Sequence, residues 1–192
     1  MNFKYFIILF FLICNHSVSG QDVRRNINLE VRYPIPIGNN YINDNYSGLF
    51  DLGIDYNLFL LPFLNAQCGI KIHTSFLNMR NSNIDLIIFE PKFKYEYYKW
   101  LNDKVYFMSN TAIGYSFWHP KDIATNNRQS GLNIELQSKL LIETKTKFRY
   151  YFFIAYEFTK FNKKKSILDT KYYRNAHLLY PGIGFEIKLT KK

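Results

Sequence analysis

The sequence predicts an all-β chain that closes into an eight-stranded antiparallel up-and-down transmembrane β-barrel. Three observations predict it. Eight segments of about 11 to 14 residues alternate apolar and polar side chains, the period of strands and not of helices. The connections between them alternate long and short. A short apolar run at the N-terminus has the form of an export signal.

That run follows Lys4, extends from Tyr5 to Cys14 and ends in the small, polar stretch Ser17-Val18-Ser19-Gly20. About ten apolar residues fall short of the ~18 to 20 that a spanning helix needs. Residues 1–20 are therefore expected to be a cleaved signal peptide and residues 21–192 the barrel. Cys14 follows the bulky Ile13, which argues against lipidation. The remaining length suits one domain with a single core. Cys68 is then the one cysteine left, which excludes an intramolecular disulfide and a cysteine-cluster metal site.

In the first segment Ile27, Leu29, Val31, Tyr33, Ile35 and Ile37 share a face, with Asn28, Glu30 and Arg32 opposite. Pro34 and Pro36 prevent an ideal strand there. The second, 48–60, alternates most sharply: Phe50, Leu52, Ile54, Tyr56, Leu58 and Leu60 against Asp51, Gly53, Asp55 and Asn57. The third, 66–77, sets Cys68, Ile70, Ile72 and Phe76 against Gln67, Lys71, His73 and Ser75. The fourth, about 84–98, changes phase: Ile84, Leu86 and Ile88 begin on one face and Phe89, Phe93, Tyr95 and Tyr97 continue on the other, which predicts a β-bulge near Glu90-Pro91.

The fifth, 104–117, opposes Val105, Phe107, Ile113, Tyr115 and Phe117 to a face carrying Tyr106, Met108, Asn110, Ala112 and Gly114. The last three apolar sets are Leu132, Ile134, Leu136, Leu140 and Ile142; Phe148, Tyr150, Phe152, Ile154, Tyr156 and Phe158; and Leu179, Ile183, Phe185, Ile187 and Leu189. Connections 38–47, 78–83, 118–130 and 161–175 are mostly long, whereas 61–65, 99–103 and 144–147 are short. Long external loops and short periplasmic turns, with both termini inside, characterise outer-membrane barrels.

A soluble lipocalin-like cup would show the same alternation with the apolar face inward. Three features favour the membrane arrangement. Tyr95, Tyr97, Tyr98, Trp100, Phe148 and Tyr150 would form an aromatic girdle at the periplasmic end, and Phe76, Tyr115, Phe117, Trp118, Phe158 and Phe161 one at the other. The apolar face is too bulky for the narrow interior of eight strands. Charges on the opposite face nearly balance, counting Glu90, Lys92, Lys94 and Glu96 among them, as an enclosed lumen requires. The lumen network is assigned to Glu30, Arg32, Asp51, Asp55, Lys71, His73, Glu135, Lys139, Arg149, Glu157, Glu186 and Lys188.

The chain resembles the small eight-stranded outer-membrane β-barrel proteins of diderm bacteria, the OmpA/OmpX-like barrels. The resemblance covers the whole mature chain and includes the closing segment Tyr180-Pro181-Gly182-Ile183-Gly184-Phe185-Glu186-Ile187-Lys188-Leu189. It departs from the family in ending on Thr190-Lys191-Lys192, where many members end on an aromatic residue. The resemblance implies an outer-membrane location and contact with membrane lipids and lipopolysaccharide.

The formal net charge is +10, and the surplus must lie outside the bilayer. Lys160, Lys163, Lys164, Lys165, Lys171 and Arg174 concentrate it in one external loop, a candidate contact for anionic headgroups, a surface glycan or a protein partner. Nucleic acid is not an expected partner in that compartment. Lipid A deacylases are eight-stranded barrels with a His-x-Ser pair and an acid, and His73-Thr74-Ser75 is similar to that pair. Here, however, the pair falls on the third segment, precedes Phe76 and has lumen parity. The expectation is a non-enzymatic, monomeric barrel with a plugged lumen, no catalytic residues, no cofactor and no metal. Deacylase, small passive pore and secreted lipocalin-like barrel are the alternatives.

Overall fold

The computed structural model describes residues 26–61, 64, 66–81, 85–120, 128–144, 146–162 and 171–189. The signal peptide expected over residues 1–20 lies outside the described residues, as do Thr190, Lys191 and Lys192. In chain order the elements are β1 (Asn26–Arg32), β2 (Ile35–Pro36), α1 (Tyr41–Asn45), β3 (Tyr46–Leu61), β4 (Ala66–Met79), β5 (Asp85–Asn102), β6 (Val105–Pro120), β7 (Gln129–Ile142), β8 (Phe148–Phe161), α2 (Lys171–Arg174) and β9 (Asn175–Lys188).

Every long strand pairs antiparallel with the next, and β1 closes the sheet by pairing with both β3 and β9. β2 continues the line of β1 along β9 after the break at Tyr33-Pro34, so the barrel has eight staves. Proline has no N–H to give the ladder. The chain nevertheless stays attached, because the Tyr33 N–H donates to the Pro181 carbonyl at 3.0 Å and the Ile37 N–H to that of His177 at 3.0 Å. Gly38 then takes φ +79°, a backbone state that L side chains rarely adopt, and turns the chain into α1.

Apolar side chains point outward. Val31, Leu52, Ile113, Leu136, Ile154 and Ile183 are each about half exposed, and Phe93 reaches 71%. No soluble protein tolerates such a belt, because each exposed aliphatic side chain forgoes about 1.5–3 kcal/mol of transfer free energy. The soluble lipocalin-like arrangement is excluded by the same orientation. Among the described residues no helix is long and apolar enough to cross a membrane.

Three sequence expectations need correction. First, β5 carries no bulge at Glu90-Pro91: its register with β4 runs unbroken from Ala66↔Tyr97 to Asn78↔Asp85. Leu86 and Ile88 face the lumen like Glu90 and Lys92, so what changes along this strand is the lining of the lumen, from charged to apolar. Second, Trp118 and Phe161 belong to no lipid-facing girdle. Both are buried and meet edge to face at 4.9 Å inside the extracellular end of the barrel, where Ile42, Tyr46, Leu77 and Leu178 are buried with them. Third, β3 shifts register between Asn57 and Phe59, which turns Phe59 outward and sets Leu60 opposite the lumen-facing Gln67. Tyr98 likewise leaves the periplasmic girdle and lines the same inner corner as Leu60.

Candidate functional site in the lumen and at the loop end

Strand parity decides what fills the lumen. The even positions of β1, β5, β6 and β9 and the odd positions of β4, β7 and β8 point inward, as do Asp51, Gly53, Asp55 and Asn57 of β3. Between the apolar extracellular plug and Tyr106, Met108 and Leu141 at the periplasmic end lies a band of charge. Arg32 organises its upper part. Its guanidinium grips Asp51 through two bonds, Nε to Oδ1 at 2.5 Å and Nη2 to Oδ2 at 3.0 Å, and reaches Glu135 Oε2 at 3.1 Å. The same group lies 4.0 Å from the centre of the Tyr180 ring.

The lysines each bridge carboxylates from different strands. Lys71 Nζ contacts Glu135 Oε1 at 2.5 Å and Glu30 Oε2 at 3.2 Å. Lys92 joins Glu90 at 2.9 Å, Glu135 at 2.8 Å and Glu157. Lys139 binds Glu30 at 3.0 Å and Glu96 at 3.2 Å, and Lys94 binds Asp55 at 3.2 Å. An isolated buried charge would cost several kcal/mol, so the band persists because each charge has opposed neighbours. Glu90, Lys92, Lys94 and Glu96, counted in the sequence-level balance but not assigned to the network, are integral to it.

Arg149, Glu186 and Lys188 form a separate clasp at the periplasmic mouth. Arg149 Nη1 donates to Glu186 Oε1 at 2.6 Å, and its Nε lies 2.6 Å from Glu143 Oε2. Lys188 and the Tyr106 hydroxyl also donate to Glu143, a turn residue that strand parity does not flag. Burial alone would raise the Glu143 carboxyl, but the Lys188 and Tyr106 hydrogen bonds and the Arg149 charge hold it below its ordinary value. Beside this clasp is a cavity of about 30 Å³ lined by Asn26, Leu60, Gln67, Met108 and Arg149 among others, room for roughly one water.

The band holds an excess of acid. Glu30, Asp51, Asp55, Glu90, Glu96, Glu135, Glu157 and Glu186 are buried, against buried Arg32, Lys71, Lys92, Lys94 and Lys139 and the partly buried Arg149. The excess converges on His73. Its Nδ1 is 3.1 Å from Asp51 Oδ1, and its Nε2 is 3.5 Å from Asp55 Oδ1 and 3.6 Å from Glu30 Oε2. Glu30, Asp55 and His73 are the described residues whose ligand atoms cluster closely enough to hold a metal ion, all within 4.8 Å of one another. They come from β1, β3 and β4, so no local spacing in the sequence announces them.

Ser75 does not meet His73. Its hydroxyl donates to Asp51 Oδ2 and lies 3.2 Å from the Tyr180 hydroxyl, fully buried beneath the plug. A nucleophile aimed at lipid would need the opposite strand face.

At the loop end, the Asn40 side chain caps α1 by accepting from the Ile42 and Asn43 N–H groups at 3.1 and 3.0 Å. Tyr41 packs against Tyr46, Tyr172 and Tyr173, and the Tyr172 hydroxyl donates to Asp44 at 2.9 Å, joining the first and last external connections. Of the predicted basic contact set, Lys160 is exposed at the end of β8 and Arg174 is half-buried at the end of α2. Lys163, Lys164, Lys165 and the side chain of Lys171 lie outside the described residues.

No protein-family model and no curated protein sequence matches the chain. Solved structures do. The crystal structure of Neisserial surface protein A matches with a TM-score of 0.62 at 6% identity, covering 86% of this chain and 97% of that one. The attachment invasion locus protein Ail of Yersinia pestis matches at 0.52 and 10% identity, covering 87% and 100%. Ail in complex with the heparin analogue sucrose octasulfate matches at 0.50 and 13% identity, again covering 87% and 100%. The chain has the fold of the small eight-stranded outer-membrane β-barrels.

Proposed function

We propose that this chain is a non-enzymatic integral protein of the outer membrane of a diderm bacterium, a monomer that acts through its external loops. It would stabilise the envelope and bind lipopolysaccharide, an acidic surface glycan or a protein partner there. The observation that carries this reading is the filled lumen: among the described residues a charge-paired band with buried apolar side chains above and below it occupies the interior, and Ser75 is fully buried there. What remains free to vary is the loop surface.

Charge supports an anionic ligand. With the lumen acidic, the +10 surplus falls on residues outside it, six of them between Lys160 and Arg174. Ail, of the same fold, is known in complex with a heparin analogue, a precedent for polyanion binding on such a barrel. Deacylation is disfavoured by the bonding of Ser75 to Asp51 and Tyr180, and a pore by the sealed lumen.

Two measurements test the reading. Purified barrel in planar bilayers should carry no sustained current; steady conductance would rule out the sealed lumen. Replacing Lys160, Lys163, Lys164 and Lys165 with Gln should weaken binding to heparin and to phosphorylated lipopolysaccharide by roughly tenfold or more, at about 1 kcal/mol per charge near an anionic surface. Unchanged affinity would remove the loop from the account.

A further inference from the structure

We propose that Glu30, Asp55 and His73 form a binding site for a divalent transition-metal ion of the zinc type, enclosed in the lumen. The argument begins with the imidazole. Its Nδ1 faces Asp51 Oδ1 at 3.1 Å, and the Arg32 guanidinium holds that same carboxylate by two bonds. A carboxylate can only accept, so Nδ1 is the nitrogen that donates to Asp51, and Nε2 is the one turned to the rest of the cluster.

Nε2 faces two further carboxylates. Asp55 Oδ1 stands 3.5 Å away and Glu30 Oε2 3.6 Å away, and the three residues are at most 2% exposed. Neither Nε2 nor Asp55 Oδ1 has a hydrogen-bond partner. The three atoms converge on one point, where a metal cation would hold them together. Tetrahedral zinc, with bonds of ~2.0–2.2 Å, sets neighbouring ligand atoms roughly 3.3–3.6 Å apart; the two separations from Nε2 are 3.5 and 3.6 Å, and all three ligand atoms lie within 4.8 Å of one another.

Two further features fit a metal. A histidine ligand whose other ring nitrogen donates to a carboxylate is the common outer arrangement of zinc sites, and Asp51 supplies it. The lumen also holds more buried carboxyl groups than cations. Lys139 and Lys94 remain on the outer oxygens of Glu30 and Asp55, where they neutralise the ligands without occupying the centre. Lys71 Nζ and Gln137 Nε2 also approach Glu30 Oε2, each at 3.2 Å. The role is structural: the ion would pin β1, β3 and β4 together at the seam where the barrel closes.

The test uses the untagged mature chain refolded into lipid vesicles with zinc, freed of excess metal, and analysed by mass spectrometry for bound metal. About one zinc per chain is expected for the native sequence. His73→Asn should retain less than about a tenth of that, whereas His177→Asn, a change at the loop end, should retain all of it. Folding of each variant is read from its migration on an unboiled gel. Should His73→Asn fail to fold, cobalt in the native chain decides, since a tetrahedral His and carboxylate site gives visible absorption bands that octahedral aqueous cobalt lacks. A native chain that emerges metal-free, zinc retained equally by folded His73→Asn, or cobalt with the aqueous spectrum would each overturn the proposal; the first is also what a proton on Nε2 in place of the metal would give.

Discussion

Gly53 of β3 lies directly opposite His73 of β4, and a methyl group on Gly53 would come within 1.9 Å of the imidazole Cε1. The ring occupies the volume that any side chain at position 53 would need, and Asp51, Asp55 and Glu30 surround it, so it has nowhere to retreat. Gly53→Ala is therefore expected to destabilise the barrel by about 1–3 kcal/mol, as overpacking does elsewhere. The urea midpoint of the vesicle-inserted protein measures this. A midpoint equal to that of the native chain would show that the ring is not confined.

Arg32 is the cation whose loss should be felt most. Arg32→Met leaves Asp51 and Glu135 without the guanidinium that bridges them, and an uncompensated buried charge costs about 3–5 kcal/mol. Unfolding free energies of the two forms in the same vesicles give the difference directly. A loss below about 1 kcal/mol would mean that water reaches the band.

The outer belt makes a depth-dependent prediction. Leu136, midway along β7, pairs with Thr111 and Tyr156, whereas Leu132 pairs with Tyr115 and Lys160 near the extracellular rim. Leu136→Arg should cost about 2–4 kcal/mol and Leu132→Arg about 0–1. Equal penalties at the two sites would place the membrane midplane elsewhere.

Acid should loosen the periplasmic mouth. Because the Glu143 carboxyl titrates below its ordinary value in the folded chain, its contribution is complete above the unfolded value and disappears as pH falls through the folded one. Amide protection factors at Phe148 and Lys188, corrected for the intrinsic pH dependence of exchange, should fall over that range, and Glu143→Gln should remove the change. Protection that is flat with pH in the native chain would show that Glu143 contributes nothing to closure.

The sequence discloses strand parity well because it depends on nearest neighbours along the chain. Asp51, Lys71, Glu135 and Glu157 all face the lumen as their alternation requires, and the ambiguous fifth segment has the orientation read from Val105 and Phe107. Failures arise where chemistry is the same on both faces. Trp118 and Phe161 read as girdle because an aromatic residue near a strand end looks alike whether it meets headgroups or plugs the lumen. Leu86 and Ile88 mimic a phase slip for the same reason.

Which charges pair is a property of closure and not of alternation. Arg32 and Glu135 are 103 positions apart, and Lys71 reaches across to Glu135 and Gln137 from a strand that does not neighbour β7. No local spacing encodes such contacts. The cluster of Glu30, Asp55 and His73 was hidden in the same way, and Glu143 sits in a turn where parity has no meaning.

The direction in which the apolar side chains face is the foundation of everything else, and nuclear Overhauser contacts between methyl groups and lipid acyl chains measure it directly. In methyl-labelled protein reconstituted in nanodiscs, Leu132, Ile134, Leu136, Ile154 and Ile183 should show cross-peaks to lipid methylenes, while Leu77, Ile88, Leu141 and Leu178 should show none. Cross-peaks from the second group with silence from the first would contradict a barrel that turns its apolar face to the membrane and encloses its charges.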